Sequence, residues 1–221
     1  RSLEKYFSFI IPEGSSVLEV GCGTGDLLAA VKPKYGVGID FSIGMIELAS
    51  SRHPELVFRL HDIERPEWID KLDEANQKFD YIILSDLLHV LWDVQKALNN
   101  LRKFCHTSTK IIISNYNFLW EPLLKLGEHI GLKQKSPNSN WLSHYDIISL
   151  LELEGFHLVS NYRKILLPKY LPIFNFLFNR ILVNFPIINS IGLINIIIAR
   201  SQDQIPKEYS ISIIIPARNE K

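Results

Sequence analysis

The 221-residue chain is 47% hydrophobic and 22% charged, which supplies a substantial core and excludes global disorder. Its 24 Lys and Arg balance 24 Asp and Glu, so no bulk field draws it to nucleic acid. Cys22 and Cys105 lack metal-ligand spacing and Arg1–Tyr6 lacks signal-peptide architecture, so no metal site is expected and a cytoplasmic setting with reduced thiols is.

The first clear element is a strand over 16–20, with Glu19 among Val17, Leu18 and Val20. It breaks into glycines at alternate positions, Gly21, Gly23 and Gly25, and a helical pattern follows over 25–32. Glycines allow a sharp turn and close ligand approach, and free N–H groups at a helix start favour an anionic group. The dinucleotide fingerprint G-x-G-x-x-G would need glycine where Asp26 stands. A second strand over 36–40 ends in Asp40, the position of a ribose-binding acid.

Further strands are expected over 57–61, 80–85 and 110–114, with helices over 43–52 and 93–105. Asp93 is placed as the N-cap of the latter. Alternating β and α with near-continuous apolar strands indicates a parallel sheet covered on both faces, with ligands beyond the C-terminal strand ends. Residues 118–130 read as a helix with Pro122 in its first turn. Ser143-His-Tyr-Asp146 reads as a capping box opening a helix that ends at Gly155. Trp141 and His144 at that helix entry read as staple and first-turn residues. Strands are expected over 156–166 and 193–199.

The order Glu19-x-Gly-x-Gly-x-Gly25 resembles the first motif of class I S-adenosylmethionine (SAM) methyltransferases. Gly38-Ile-Asp40-Phe-Ser42, Leu60-His-Asp62-Ile63 and Phe79 to Asp93 extend the resemblance over roughly residues 14–200. It implies a Rossmann-like α/β fold, a seven-stranded sheet with helices on both faces and the last strand antiparallel between the fifth and sixth. It also implies SAM as cofactor, with the turn Gly21–Gly25, including Cys22, holding its methionine and ribose portion. Asp40 would accept both ribose hydroxyls, and Asp62 the adenine amine. Ile63 and Met45 would pack on the ring, and Glu19 and Phe41 are further cofactor-binding residues. Ser85 and Asp86 would lie beneath the sulfonium.

Within that frame His89 is the general-base candidate, with a packing role beside the following helix as the bland alternative. Asn115 and Tyr116 are candidate acceptor contacts, or ordinary turn residues. Segment 167–186 is apolar nearly all round, with Phe174, Phe178 and Phe185 as anchors and Lys169 and Arg180 as its bases. Burial under a cover is the main reading, and peripheral membrane contact the second.

Residues 201–208 form a polar linker, and Tyr209-Ser-Ile-Ser-Ile-Ile-Ile-Pro-Ala-Arg-Asn-Glu220 resembles the opening strand of family 2 (GT-A) glycosyltransferases. The domain expectation is therefore a methyltransferase over 1–200, a linker, and the truncated start of a covalently linked glycosyltransferase over 209–221. The acceptor class this suggests is a sugar, glycan or lipid-linked saccharide, or another small molecule. The alternatives are a non-catalytic SAM-binding scaffold and a nicotinamide-dependent oxidoreductase.

Overall fold

The computed structural model describes residues 2–65, 77–122, 125, 129, 140, 142–164 and 192–201. Its strands are β1 (Ser16–Val20), β2 (Tyr35–Asp40), β3 (Val57–Leu60), β4 (Phe79–Ser85), β5 (Cys105–Tyr116), β6 (Phe156–Lys164) and β7 (Ile194–Ser201). The helices are α1 (Ser2–Ile10), α2 (Asp26–Ala30), α3 (Ile43–Arg52), α4 (Val94–Leu101) and α5 (His144–Leu153). One sheet runs β3-β2-β1-β4-β5-β7-β6. Strands β1 to β5 pair in parallel, and β7 is antiparallel to both β5 and β6. The expected seven-stranded order, with the last strand inserted between the fifth and sixth, is what forms.

The strands are apolar on both faces because both are covered. Leu18, Val20, Ile82, Leu84, Ile111, Ile113 and Ile197 face one core with α4 and α5. Val17, Ile83, Ile112, Ile196 and Ile198 face the other, with Phe7 of α1 and Leu28 of α2. Helix α1, absent from the expected elements, buries Phe7 completely, and Ile11 just past it is also buried. Ser8 Oγ of α1 also donates to the Ala30 carbonyl at 2.8 Å, tying α1 to the end of α2.

Three expected boundaries change. The helix over 25–32 shortens to α2, because Lys32 is left-handed (φ 48) and Pro33 follows it. So short a helix sums few peptide dipoles, and anion anchoring there falls to individual N–H groups. The helix over 93–105 ends at Leu101, and a 3-10 turn, Arg102–Phe104, leads into β5. Strand β5 begins at Cys105, which pairs with Phe79, and a register shift carries the chain to Lys110 opposite Tyr81. Thr109 supports that shift: its hydroxyl donates to the Phe79 carbonyl at 2.6 Å and accepts from the His106 N–H at 2.7 Å.

Both caps form as expected. Asp93 accepts from the Lys96 N–H, and Ser143 and Asp146 make a reciprocal capping box. Gly155 takes the left-handed conformation (φ 74) after α5. Phe118–Trp120 form a 3-10 turn, and Glu121, Pro122, Lys125 and His129 carry helical backbone. The expected cover at 167–186, Trp141, and the linker and glycosyltransferase-like strand at 202–221 lie outside the described residues.

Helices α4 and α5 are joined through Glu154, a buried residue just past α5. Its carboxylate accepts from Gln95 Nε2 at 2.8 Å and Asn99 Nδ2 at 2.7 Å. Hydrogen bonds to a charged group contribute about 1.5–3 kcal/mol each. We expect Glu154→Ala to lower unfolding free energy by about 2–3 kcal/mol, read as a lower urea midpoint at unchanged slope.

Candidate functional site

The glycine turn leaves β1 and is stitched to β2. Gly21 and Cys22 both donate N–H to the Ile39 carbonyl, at 2.8 and 3.0 Å, and Gly23 donates to Asp40 Oδ2 at 2.9 Å. Gly21 has φ 72, and a Cβ there would meet Leu87 Cδ1 at 2.8 Å. Gly25 has φ 75, and its Cβ would meet the Phe58 ring at 2.6 Å. At these two positions both the backbone conformation and the close approach of a neighbour require glycine.

Asp40 is buried, and each carboxylate oxygen is already oriented: Oδ2 by Gly23 N–H and Oδ1 by the Ser42 N–H at 2.9 Å. A carboxylate has about four lone-pair sites, so two remain for a diol. Asp62 follows β3 and turns back on itself. Its Oδ1 accepts from the Glu64 N–H at 3.0 Å, and its Oδ2 pairs with Arg65 Nε at 3.2 Å. It too keeps lone pairs for a ligand amine.

A cleft opens between these strand ends and the loop after β4. Its walls are Val20, Gly21, Ile39, Asp40, Phe41, His61, Asp62, Ile63, Glu64, Leu87, Val90, Leu91 and Trp92. Of the expected site residues it gathers Gly21, Asp40, Phe41, Asp62 and Ile63. Gly23 reaches it through Asp40. Met45, in the first turn of α3 and partly exposed, stands outside the wall, and Phe41 supplies the apolar surface there. His61, Glu64, Leu87, Leu91 and Trp92 were not expected. Glu64 Oε1 accepts from the Asp93 N–H at 2.6 Å, which holds Trp92 against the cleft. Asn100 Nδ2 donates to the Ile63 carbonyl at 2.8 Å and fixes the opposite wall.

The remaining expected residues lie beside the cleft. Ser85 ends β4, and its hydroxyl shares a hydrogen bond with Ser114 at 3.1 Å. Asp86 is left-handed (φ 50), and its N–H donates to the Ser114 carbonyl at 2.9 Å. His89 is half-buried in the loop after β4, and its carbonyl accepts from the Asn140 N–H at 3.0 Å. Asn140 Nδ2 also donates to the Leu91 carbonyl, so residue 140 braces this loop. Asn115 and Tyr116 end β5, the former buried and the latter half-buried. Burial raises the Tyr116 hydroxyl, with the Asp86 charge adding to it. His144 occupies the first turn of α5, and its Nε2 meets Asn161 Nδ2 at 2.8 Å.

Under the turn, Glu19 is 2% exposed, and its Oε2 has no hydrogen-bond partner among the described residues. Burial pushes its pKa up to about 8; the Leu28 N–H opposes this, and the charges of Asp40 and Asp26 add to it. Burial likewise raises the Cys22 thiol, reinforced by Glu19 and Asp40, so Cys22 is a packed thiol. Asp26 is held below the usual carboxylate range by hydrogen bonds from His53 and Thr24.

The arrangement fits SAM in its donor set: one oriented carboxylate for a diol, a second acid for an amine, an apolar wall, and a buried acid beneath a glycine turn. The family model for a methyltransferase domain matches residues 1–161. The chain belongs to that family. It is a class I SAM-dependent methyltransferase domain, and SAM is its cofactor. The ribosomal protein L11 methyltransferase of Thermotoga maritima is 33% identical over 115 residues, covering 51% of this chain and 39% of that protein. The chain spans less than half the length of the curated relatives it matches. Among solved structures, a chain of the complex between the Haloferax volcanii Trm112 methyltransferase activator and a methyltransferase superposes with TM-score 0.67. It is 16% identical, with 90% of this chain and 88% of that one covered. Magnesium protoporphyrin IX methyltransferase from Synechocystis, solved with bound S-adenosylhomocysteine (SAH), gives 0.60 at 16% identity, covering 91% and 82%.

The raised Glu19 pKa in this methyltransferase domain has a defined consequence. An unfolded chain releases the proton near 4.5, the folded one near 8. The folded form therefore holds the proton that the unfolded form loses, and stability falls as pH rises through that window. Glu19→Gln has no proton to release. We expect its melting temperature to gain on the parent's between pH 5 and pH 8, in paired thermal melts.

Proposed function

We propose that this domain moves a methyl group from SAM to a hydroxyl of a sugar, glycan or lipid-linked saccharide. We further propose that it does so as one part of a methyltransferase–glycosyltransferase fusion. The observation that carries the cofactor half is Asp40, with both oxygens oriented by backbone N–H groups and lone pairs left toward the cleft. The acceptor half rests on the sequence alone, on the glycosyltransferase-like stretch 209–220. The ribosomal protein L11 and ubiquinone-biosynthesis methyltransferases among the relatives are named for other acceptors, so membership alone does not select one.

Asp26 argues against the dinucleotide alternative. Its carboxylate stands at the start of α2, held ionised by His53 at 2.9 Å and Arg52 at 3.2 Å. A pyrophosphate at that position would meet a negative charge where the dinucleotide fingerprint has glycine.

SAM when bound supplies an electrophilic methyl group on a sulfonium. The protein's part is to bind, orient and exclude water. In this reading Asp40 and Asp62 fix the nucleoside by hydrogen bonds to hydroxyls and amine. Phe41, Ile63 and Leu91 offer it apolar surface. The turn Gly21–Gly25, with Glu19 beneath, takes the amino-acid end. Ser85 lies next to the reacting end of the site, on the C-terminal edge of β4. His89 is proposed to take the proton from the acceptor hydroxyl.

Calorimetry with SAM, SAH and NAD tests the cofactor half. Binding of SAM and SAH without NAD is expected; NAD alone would overturn it. Asp40→Ala should weaken SAH by about 1–3 kcal/mol, because a hydrogen-bonded charged acceptor is lost. Parental affinity in that variant would remove Asp40 from the site. A screen of free and lipid-linked glycans with labelled SAM tests the acceptor half. Binding with no turnover on any acceptor would favour the scaffold alternative.

His89→Ala makes a separate claim. On an acceptor found in that screen, its rate should fall by about a hundredfold or more with SAH affinity unchanged, the lower range for general base catalysis. An unchanged rate would return His89 to a packing role.

A further inference from the structure

Two buried asparagines differ from the other buried amides of the fold. Asn100 Nδ2 is bonded to the Ile63 carbonyl. Asn117 donates from Nδ2 to the Gly192 carbonyl at 2.9 Å and accepts from the Leu119 N–H at 3.2 Å. Asn195 is 2% exposed and Asn115 6%, yet neither Oδ1 has a hydrogen-bond partner among the described residues. Asn115 Nδ2 makes one contact, to the neighbouring Tyr116 carbonyl at 3.1 Å. A buried polar group left unmatched costs about 1–3 kcal/mol, whereas an apolar group of the same shape there is nearly neutral or stabilising. Each oxygen is therefore left unmatched within the described fold.

Their placement is informative. They are Cα partners across β5 and β7, so their side chains share one sheet face. By alternation it is the face of Ile113 and Ile197, which packs under α4 and α5. Asn115 follows Ser114, which pairs with Ser85 at the end of β4. The cofactor cleft spans the ends of β1, β2 and β3, and β4, β5 and β7 continue the row. At about 4.8 Å between strands, the pair lies about 10–15 Å along the edge from β1. In the proposed reading the acceptor takes this side of β4 and the cofactor the other.

The chemistry narrows the acceptor. A carboxamide presents two N–H donors and an oxygen with two lone pairs, and carries no charge. Its complement is a group that also donates and accepts, as a hydroxyl does. Two such amides on neighbouring strands match neighbouring hydroxyls of one ring. The pair itself carries no charge, and Arg163 is the Cα partner of Asn195 on its β6 side. His144 and Asn161, on the same side, are already bonded to each other.

We propose that Asn115 and Asn195 together form the acceptor subsite, binding neighbouring hydroxyls of a polyhydroxylated acceptor. This rests on the methyltransferase reading above. The test uses the SAH-saturated protein and saturation-transfer NMR. Its probes are methyl α-D-mannopyranoside, methyl β-D-galactopyranoside and methyl α-L-rhamnopyranoside. At least one sugar should give a signal with the parent. That signal should fall at least about fivefold in both Asn115→Leu and Asn195→Leu, a loss of hydrogen-bonded specificity. SAH affinity should stay within about twofold, since neither residue lines the cofactor cleft. Melting temperatures should be unchanged or higher. Three results each overturn the proposal. One is no signal from any of the three sugars with the parent. Another is a signal that persists in either variant. The third is a melting temperature lowered by about 5 °C or more in both, which would give the amides a structural role. Failure of the parent to bind SAH is a different result, and it removes the cofactor reading itself.

Discussion

Three successive N–H groups, on Gly21, Cys22 and Gly23, all donate to β2, two to a carbonyl and one to the Asp40 side chain. Through these bonds the turn after β1 and the acid ending β2 become one rigid piece. Asp40 cannot swing away without freeing Gly23, and the turn cannot open without freeing Ile39. The absent side chains matter as much as the bonds. Leu87, from the loop after β4, fills the space beside Gly21, and Phe58 of β3 fills the space beside Gly25 and Gly38. The ends of β1 to β4 thus meet around one turn. A cleft bounded this way is largely formed before any ligand arrives, which lowers the ordering cost of binding.

How much of this was legible depended on sequence distance. The glycine turn, Asp40 and Asp62 are local signals, because each lies where a strand ends and its neighbours in sequence show that end. The caps at Asp93 and Ser143 are local too, and both formed. The Glu64 bond to the Asp93 N–H spans the gap between β3 and α4, so nothing near Trp92 in sequence announces its place on the cleft. The start of β5 at Cys105 was hidden because Phe104 and Cys105 continue the apolar period of α4. The pairing of Cys105 with Phe79 and the Thr109 hydroxyl's bond to the Phe79 carbonyl decide where helix yields to strand. Helix α1 had its signal: Leu3, Tyr6, Phe7, Ile10 and Ile11 recur at helical spacing. A reading of the N-terminus for targeting features alone passes over it. Asn195 was illegible for another reason. In sequence it is one polar residue in an apolar strand, and only the β5–β7 register sets it against Asn115.

The two edges of the sheet treat their polar groups differently. At the edge where β1, β4 and β5 begin, the polar groups answer one another. Asp80 Oδ2 accepts from both the N–H and hydroxyl of Ser16, whose oxygen in turn accepts from the Asp80 N–H. His106 stands 3.4 Å from Asp80, and Arg200 Nε donates to the Thr107 carbonyl. At the opposite edge, Glu19, Asn115 and Asn195 each keep a buried oxygen without a partner among the described residues. A fold selected only for stability would not concentrate such groups on one side, since each costs free energy that a simple apolar side chain avoids. The asymmetry follows the chemistry of parallel sheets, whose ligands sit beyond the C-terminal strand ends. In the proposed acceptor reading, the unmatched oxygens at that edge belong to the ligand surface, and the matched polar groups at the other edge hold the strands in register beneath it.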